Sequence, residues 1–575
     1  MRIPSRTSRR AALVLAAAAA VSVAAAGTAA ADPFHWWAAQ PHGFRTAVDA
    51  ARAGRDGVAR GAVLANDAEA TAVVRTSPLD DPSAGSLDVR PDGTFTFTPA
   101  RRGAHGVVHF TYSATDAVRL FRTDLPPIDT FGSTKISGGS FGSSFVAAPG
   151  RSGLFYGVTD RGPNADGGDG TTIGAGNKIE PDTGTDPAHP LFHPQIAAFR
   201  LVGSTAQLVG QPIVLKDKNG HPYNGLPNTV TAIAASPEEI DDLAGHKLAP
   251  DTDGYDPEGL VALADGTFWV SDEYGPYLTH FDRNGREIER LSPWVSGPAY
   301  DADKAAHAID TRHPLPVELQ LRSKNKGMEG LTVTPDGRTL VGIMQSALTQ
   351  PDLVDATGKK IKPGNVTPVR IVTVDLRTKA VHEYVYLLDT PALHDGNAVS
   401  EITALSSTKL LVDERDGDMG AGTFKQLYEI DLAGATDVVG TGDPKGYLVD
   451  GKSIEAFVGT ATTAQATAKL EAAGVTPVGK SPYLDLGGLV TQLDPTGAFF
   501  GHDKIEGVAT TDGGRTLYLA NDSDFGLDHT NEVSAPYTLH QKTLPNGKVD
   551  DGEVLAVDVS KLPLVLGTAT VTIRY

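Results

Sequence analysis

The sequence predicts an all-β protein in which a β-propeller of five or six blades follows a small β-sandwich. The first observation is composition, since 63 Gly and 38 Pro make up about 18% of the 575 residues, against about 12% in an average globular chain. The second is a hairpin pattern that recurs after residue 128. The third is that helical signals are few and local, whereas a doubly wound α/β sheet requires a helix after each strand.

Charge and cysteine content exclude several classes of function. The chain has 50 Lys and Arg against 70 Asp and Glu, a formal charge of −20, which excludes phosphate-backbone binding as its main role. It contains no Cys, so disulfides, thiolate zinc sites and a cysteine nucleophile are excluded. We therefore expect a small-molecule partner, no nucleic acid and no membrane insertion. Nothing in the sequence indicates an oligomeric state.

Residues 1–31 have the three parts of a secretory signal peptide. Four Arg lie among the first ten residues, followed by the small apolar run Ala11–Ala26 and the cleavage pattern Ala29-Ala30-Ala31. Ser8-Arg9-Arg10 leaves twin-arginine export open as an alternative to general secretion. We expect a secreted protein cleaved near Ala31. Because the segment carries four Arg and no acid, the remaining chain has a charge of −24.

Residues 45–120 indicate a small all-β module. Thr94-Phe95-Thr96-Phe97-Thr98 alternates with the period of two that strands have, and Asp92-Gly93 is typical of a hairpin turn. Together with Val63-Leu64-Ala65-Asn66-Asp67, this stretch resembles the bacterial Ig-like (cadherin-like) modules. The resemblance implies a β-sandwich with a calcium site formed by Asn66, Asp67 and Asp116. The alternative is that these three residues only cap turns.

The most informative feature of the remaining chain, residues 128–575, is an internal repeat. Each unit begins with a Glu in a short strand, turns, and ends a second strand in a polar cluster 13 to 16 residues later. The repeated residues, which are 71, 72 and 105 residues apart, are Glu258, Glu329, Glu401 and Glu506. Since each hairpin is part of one blade, the repeat predicts the propeller.

In a propeller the first strand of each blade lines the central channel, so repeated positions converge on one axis. Two carboxylates 4 Å apart there would repel by about 4 kcal/mol. A cation relieves this repulsion, and oxygen ligands favour Ca²⁺. The alternative is that each Glu accepts hydrogen bonds from backbone N–H groups of its own blade. The candidate metal ligands come from the repeated Glu and the polar clusters: Glu258, Glu329, Glu401, Glu506, Asn521, Asp522 and Asp160.

The polar clusters at the hairpin ends also supply candidate catalytic residues. A carboxylate there could act as general base on a bound water, and the fork of an Arg suits a phosphate or carboxylate group. The alternative is turn formation, for which Asp and Asn are favoured. The candidate bases are Asp272, Glu273 and Glu414, and the candidate anion-binding residues are Arg161 and Arg415.

Two other features are less specific. Asp251-Thr252-Asp253-Gly254-Tyr255-Asp256 is typical of a calcium loop but lacks the Glu of an EF-hand, so a surface acidic turn remains the alternative. Among the 16 His residues, His280 and His502 lie near the repeats and are candidate proton carriers.

The repeat motifs together resemble the phytase-like domain family, which is described as having esterase-like activity of phytase. The resemblance runs in order from about residue 130 to about residue 560. It rests on Asp160-Arg161-Gly162-Pro163, Asp256-Pro257-Glu258-Gly259-Leu260, Gly327-Met328-Glu329-Gly330-Leu331, Glu414-Arg415-Asp416 and Lys504-Ile505-Glu506-Gly507. It implies a secreted propeller that hydrolyses phosphate or carboxylic esters.

Two classes of function fit these observations. The first is a calcium-dependent hydrolase that acts on a small anionic or ester substrate in the carboxylate-lined channel. The second is a non-catalytic exported protein for binding or adhesion, in which calcium is structural. A lactonase that shares the same use of metal is a further alternative to the first.

Overall fold

A computed structural model describes residues 45–167, 177–179, 181, 191–230, 238–389, 397–440 and 442–575. The predicted signal peptide, residues 1–31, lies outside these ranges. Within them the all-β class is confirmed, because strands predominate and only four α-helices occur. None of the helices in the described ranges is long and apolar enough to cross a membrane.

After the N-terminal module the main architecture is a series of five antiparallel sheets of four strands each, two of which join edge to edge into one nine-stranded sheet. We call them sheets A to E and give their strands from the innermost outward. Sheet A contains Ser144–Ala147, Leu154–Val158, Gln195–Val202 and Thr205–Leu208, with Ile213–Val214 paired to its third strand. Sheet B contains Pro257–Ala262, Phe268–Asp272, Leu278–Phe281 and Glu287–Leu291. Sheet C contains Met328–Val333, Thr339–Met344, Pro368–Asp375 and Val381–Leu387. Sheet D contains Ala398–Ala404, Lys409–Arg415, Lys425–Asp431 and Gly479–Asp485. Sheet E contains Lys504–Thr510, Thr516–Asp522, Glu553–Asp558 and Val118–Arg122.

The innermost strands of the five sheets pack against one another in chain order, and that of sheet E contacts that of sheet A. The apolar core lies between the faces of successive sheets, and its largest cluster fills the space between sheets B, C and D. Sheets A and E are also joined at their outer edges, where Thr205 pairs with Arg122.

The N-terminal module is a sandwich of two sheets that share one apolar core. One sheet contains Ala59–Ala62, Thr94–Pro99 and Gly85–Val89. The other contains Asp49–Arg52, Val107–Thr115, Ala72–Thr76 and the last strand of the chain, Gly567–Arg574.

The two predicted units, residues 45–120 and 128–575, exchange strands at their ends. Gly567–Arg574 pairs with Val107–Thr115 in the module, whereas Val118–Arg122 pairs with Glu553–Asp558 in sheet E. A strand shared in this way is paired on both sides instead of leaving an exposed edge. The exchange ties the two ends of the chain together.

Smaller elements lie between the sheets. The helices span Pro298–Ala306, Ile454–Val458, Thr463–Ala472 and Leu486–Leu493. A small sheet contains Ala165–Asp166, Asn177–Ile179, Glu239–Asp241 and Lys247–Leu248. Three two-stranded ribbons pair Asp129–Phe131 with Thr134–Ile136, Leu448–Val449 with Lys452–Ser453, and Leu527–Asp528 with His540–Gln541.

Candidate functional site

The repeated Glu residues lie at β-bulges in the innermost strands. The register between the first and second strands shifts at Glu258 in sheet B, at Glu329 in sheet C and at Glu506 in sheet E. A bulge inserts an unpaired residue and redirects its side chain. These three carboxylates lie near one another, since Glu329 and Glu506 are among the charges that act on Glu258.

The fourth Glu is out of register with the other three. In sheet D the shift falls at Ser400, so Glu401 occupies the position that Gly259 and Gly330 hold in their sheets. The prediction that Glu401 is equivalent to the other Glu residues is therefore wrong. Its sequence, Ser-Glu in place of Glu-Gly, moves the carboxylate by one residue.

Glu401 is fully engaged in hydrogen bonds. One carboxylate oxygen accepts from the backbone N–H groups of Leu331 (3.1 Å) and Ile402 (2.8 Å), and the other accepts from Ser144 Oγ (2.6 Å). It thereby joins the innermost strands of sheets A, C and D. Burial raises the pKa of Glu401 well above its usual range.

The ends of the second strands add a further group of polar side chains. Gln345 Nε2 donates to Glu273 and to Glu329, at 2.9 Å in each case. Arg415 donates to Glu506 and, at 2.7 Å, to Ser400 Oγ. Successive sheets are thus linked through these side chains. The predicted residues Glu273 and Arg415 both lie in the site.

Two compact groups of carboxylates occur within the described part of the chain in this region. Oxygen atoms of Asp256, Glu258 and Glu273 lie within 4.8 Å of one another, as do those of a second group, Asp160, Asp522 and Asp524. The groups adjoin, because the backbone N–H of Arg161 donates to Asp256 at 3.0 Å. We call both groups together with Glu329 and Glu506 the acidic cluster.

Three predicted site residues point away from the acidic cluster, because side chains alternate along a strand. Asp272 accepts the backbone N–H groups of residues 256 (2.8 Å), 274 (3.3 Å) and 275 (2.6 Å). Asn521 accepts from the backbone N–H of Glu553 at 2.7 Å. Glu414 accepts from Tyr386, Asn397 and Lys480 in the outer part of sheet D. Asp272 and Asn521 therefore stabilise the ends of strands. Glu414 and Arg415 are adjacent in the sequence, but Glu414 faces the outer part of sheet D and Arg415 faces the site.

Basic residues pair with part of the acidic cluster. Lys504 donates to Asp524 at 2.5 Å and to Asp522 at 3.3 Å, and Lys542 donates to Asp524 at 2.6 Å. Arg161 donates to Glu238 and, at 2.6 Å, to Tyr274 OH. The group around Asp524 is therefore largely neutralised by lysine.

In the group around Glu258, Arg161 pairs only with Asp256, where Nη1 lies 3.9 Å from Oδ2. Glu258 is only 9% exposed, and within the described part of the chain no hydrogen bond reaches its carboxylate. Burial raises the pKa of Glu258 well above its usual range, and the charges of Asp256, Glu329, Glu506 and Glu273 raise it further. Glu258 is thus a buried carboxylate among like charges, and the described residues pair no basic side chain with it.

Neighbouring carboxyl groups show the same effect. Burial, with the charge of Glu506, raises the pKa of Glu329 to about 8. Burial, with the charge of Asp522, raises the pKa of Asp160 well above its usual range. The donor set around Glu258 consists of carboxylate oxygens alone, which suits a hard divalent cation such as Ca²⁺. The residues present therefore fit the cation that the sequence predicts.

Several residues of this site are missing from the predicted set. Asp256 directly precedes the Pro257-Glu258 motif, and Lys504 holds the corresponding place before Ile505-Glu506. Gln345 directly follows the second strand of sheet C, as Glu273 directly follows that of sheet B. Alignment of the residue before each repeat motif is the signal that could have identified Asp256 and Lys504.

The remaining predicted residues lie elsewhere. In the module, Asp67 accepts from Tyr112 OH at 2.9 Å, whereas Asp116 pairs with Lys561 at 3.1 Å. His280 stacks on Trp269 with ring centroids 4.6 Å apart. His502 lies between Asp550 (2.7 Å) and Glu553 (3.2 Å) and is fully buried. Calcium in the module stays a prediction.

Comparison with known proteins gives relatives for both parts of the chain. The bacterial Ig domain family matches residues 40–124. An uncharacterized secreted protein of Arthroderma benhamiae is 32% identical over 189 residues, which cover 29% of this chain and 35% of that protein. The matched region thus spans about a third of the relative.

Solved structures resemble the chain only distantly. A luciferin-regenerating enzyme has a TM-score of 0.27 at 10% identity, covering 80% of this chain and 88% of its own. A protein from Lactobacillus plantarum has a TM-score of 0.28 at 11% identity, covering 79% of this chain and 96% of its own.

One family model matches a large part of the chain. It spans residues 138–525, more than half of the chain, and includes every residue of the acidic cluster. The chain therefore belongs to the phytase-like family, described as esterase-like activity of phytase, and carries a bacterial Ig domain at its N-terminus.

Proposed function

We propose that this protein is a secreted hydrolase that binds a divalent cation, Ca²⁺, in the acidic cluster and cleaves a phosphate or carboxylic ester. Family membership supports the hydrolase class. The predicted signal peptide, and a relative described as secreted, support export. We also propose that sheets A to E are the blades of a closed five-bladed propeller. The cyclic contacts of their innermost strands support this arrangement.

The observation that carries the proposal is that Glu258, which lies among other carboxylates, has no hydrogen-bond donor in the described part of the chain. Its oxygens lie within 4.8 Å of those of Asp256 and Glu273. Desolvation and like charge make this arrangement unfavourable unless a proton or a cation is present. Asp256, Glu258 and Glu273 would hold the cation. When bound, it would polarise an ester oxygen and lower the pKa of a bound water.

Glu329 is the best-placed general base. Its pKa of about 8 is close to the working range of a base near neutral pH, and Gln345 fixes its carboxylate through one oxygen. Glu329 was predicted as a metal ligand, and the three predicted bases are less suitable. Asp272 and Glu414 accept hydrogen bonds outside the acidic cluster, and Glu273 would hold the cation. Glu329 would therefore accept the proton of the attacking water.

The positive residues of the site would orient an anionic substrate. Lys326 is exposed, and its ammonium donates to Gln345 Oε1. Arg415 is bound to Glu506 and Ser400, so its guanidinium is held in place. A negative group on the substrate would approach from the side of Lys326. The positive charge of this lysine would offset the repulsion between the substrate and the negatively charged protein.

The experiment that tests this function is hydrolysis of chromogenic phosphomonoester, phosphodiester and carboxylic ester substrates by the protein from Asp32 onward. Each assay is run after chelation and again as Ca²⁺ is added back. We expect turnover of one class that returns with Ca²⁺. Glu329→Gln should lose turnover by about 100-fold or more while still binding Ca²⁺.

The matched control is Glu414→Gln, a change of the same chemistry outside the acidic cluster. It should retain most of the turnover if folding is intact. Activity that persists after complete chelation would contradict the proposal. An absence of turnover on all three classes, with a melting temperature that still rises with Ca²⁺, would favour the non-catalytic binding protein.

A further inference from the structure

We infer that Asp217, His221 and Asp253 form a second metal site, which takes a first-row transition-metal dication such as Zn²⁺. One ligand atom from each residue lies within 4.8 Å of the other two. The inference rests on this geometry and does not depend on the proposed hydrolase function.

The first two ligands lie in one tight loop. The Asp217 carboxylate accepts the backbone N–H groups of Asn219 (2.8 Å) and His221 (2.7 Å), which fixes one of its oxygens. The other oxygen accepts from Asn219 Nδ2 at 3.1 Å and lies 3.3 Å from His221 Nδ1. The Asp217 side chain is 1% exposed, whereas His221 reaches the surface at 71% exposure. The loop thus presents a fixed, buried carboxylate beside an accessible imidazole.

The third ligand comes from the acidic segment Asp251–Asp256. The backbone of Asp253 is held on both sides, since its N–H donates to Asp251 (2.9 Å) and its carbonyl accepts from Asn224 (3.0 Å). The Asp253 side chain is 22% exposed, but its Oδ1 is inaccessible to solvent and accepts no hydrogen bond from the described residues. The nearby His307 Nε2 is 3.6 Å away and bonds to Thr252 O at 2.9 Å. A buried oxygen without a donor is the feature that a cation would satisfy.

The chain contains an internal comparison for the loop. Asp242 and His246 form the same D-x-x-G-H loop, with the same two backbone hydrogen bonds and a side-chain contact of 2.8 Å. Asp242 is 36% exposed, and no third ligand joins this pair within the described ranges. The loop alone is therefore a turn. Burial and the third carboxylate distinguish the pair at Asp217.

The ligand types select the metal. An imidazole with two carboxylates suits Zn²⁺ or Mn²⁺, with remaining positions for water, whereas Ca²⁺ prefers oxygen ligands alone. The acidic cluster around Glu258 contains only oxygen ligands. The two sites should therefore prefer different ions.

The site has a structural consequence for the acidic cluster. Asp253 lies three residues before Asp256 on the segment that leads into Pro257-Glu258. A metal shared with Asp217 and His221 would tie this segment to the loop after Ile213–Val214 in sheet A. We therefore assign the metal a positioning role.

The test is a calorimetric titration of the chelated protein, from Asp32 onward, with Zn²⁺ alone. Three variants are compared with the wild type: Asp253→Asn, His221→Ala and the control His246→Ala. We expect wild type and the control to bind one more equivalent of Zn²⁺ than the other two variants, or to bind it at least ~10-fold more tightly. Melting curves of the metal-free proteins show that each variant folds.

A Zn²⁺ isotherm that is the same in Asp253→Asn, His221→Ala and wild type would overturn the inference. So would an equal loss in His246→Ala, since that result would indicate general surface binding by histidine. A Glu258→Gln variant that keeps this equivalent of Zn²⁺ would confirm that the site is separate from the acidic cluster. Loss of hydrolysis on chelation, by contrast, concerns only the proposed function.

Discussion

At the scale of single residues, Glu258 and Glu401 show how one step in register changes the role of a carboxylate. Both are buried and both belong to the repeat. Glu401 accepts hydrogen bonds from two backbone N–H groups and a serine hydroxyl, whereas Glu258 faces other carboxylates and receives no hydrogen bond from the residues that the structure describes. Residue type and position in the repeat predict both Glu258 and Glu401 to be metal ligands. Only the local pairing separates the structural carboxylate from the candidate ligand.

His502 gives a prediction on pH dependence. Although burial lowers its pKa, the carboxylates of Asp550 and Glu553 raise the pKa of His502 to about 9. The folded state thus binds a proton more tightly than the unfolded state, whose histidine pKa is about 6.5. The resulting stabilisation is complete below pH ~6.5 and is lost as pH rises through ~9. Its full size is on the order of 3 kcal/mol, at about 1.4 kcal/mol per unit.

Denaturant unfolding of wild type and His502→Gln between pH 6 and 10 checks this prediction. The free energy of unfolding of the wild type should fall over that range by up to a few kcal/mol more than that of the variant. Equal slopes in the two proteins would show that the histidine is not held as a cation. Asp80→Asn, which removes the exposed partner of His109, provides a control for surface histidine pairs.

At the scale of elements, the Glu-Gly motif couples each bulge to close packing of the next sheet. A Cβ at Gly330 would lie 2.6 Å from the backbone nitrogen of Ile402 and 2.9 Å from the Cα of Glu401. Only glycine fits a contact of that kind with a neighbouring backbone. The repeat predicted the hairpins because strand periodicity and turn residues are local. It did not predict the shift at Ser400, because register also depends on the neighbouring strand.

Gly330→Ala should therefore destabilise the protein. We expect a loss of about 1–3 kcal/mol in the free energy of unfolding, because the clash is with backbone and cannot be relieved by a side-chain rotation. The matched change is Gly364→Ala, where a Cβ would meet nothing within 4 Å and the backbone is not left-handed. Chemical denaturation of both variants gives the comparison. Similar stabilities would contradict the proposed packing of the innermost strands.

At the scale of the whole molecule, the two domains exchange strands. The last strand of the chain pairs within the N-terminal module, and Val118–Arg122 pairs within sheet E. Val571 and Ile573, in the last strand, are fully buried in the core of the N-terminal module. The sequence predicted the module and the following repeats as separate units, since alternation shows that a strand exists but not which strand it pairs with. Pairing between residues more than 400 positions apart leaves no local signal.

Removal of the last strand tests this exchange. A chain that ends at residue 566 should lose the module core, since burial of a Val or Ile side chain contributes about 1.5–3 kcal/mol. Limited proteolysis should then cut first within residues 49–115, while sheets B to D remain protected. The full-length chain is the control. An unchanged cleavage pattern in the shortened chain would contradict the role of Gly567–Arg574.

The most direct test of the central claim is a calorimetric Ca²⁺ titration of the chelated wild type beside Glu258→Gln and Glu401→Gln. Both variants replace a buried carboxylate by its neutral isostere, but among the described residues Glu401 has hydrogen-bond donors and Glu258 has none. We predict saturable binding by the wild type, a loss of ~10-fold or more in affinity for Glu258→Gln, and no comparable loss for Glu401→Gln. Equal Ca²⁺ affinities in the wild type and Glu258→Gln would contradict a cation at the acidic cluster.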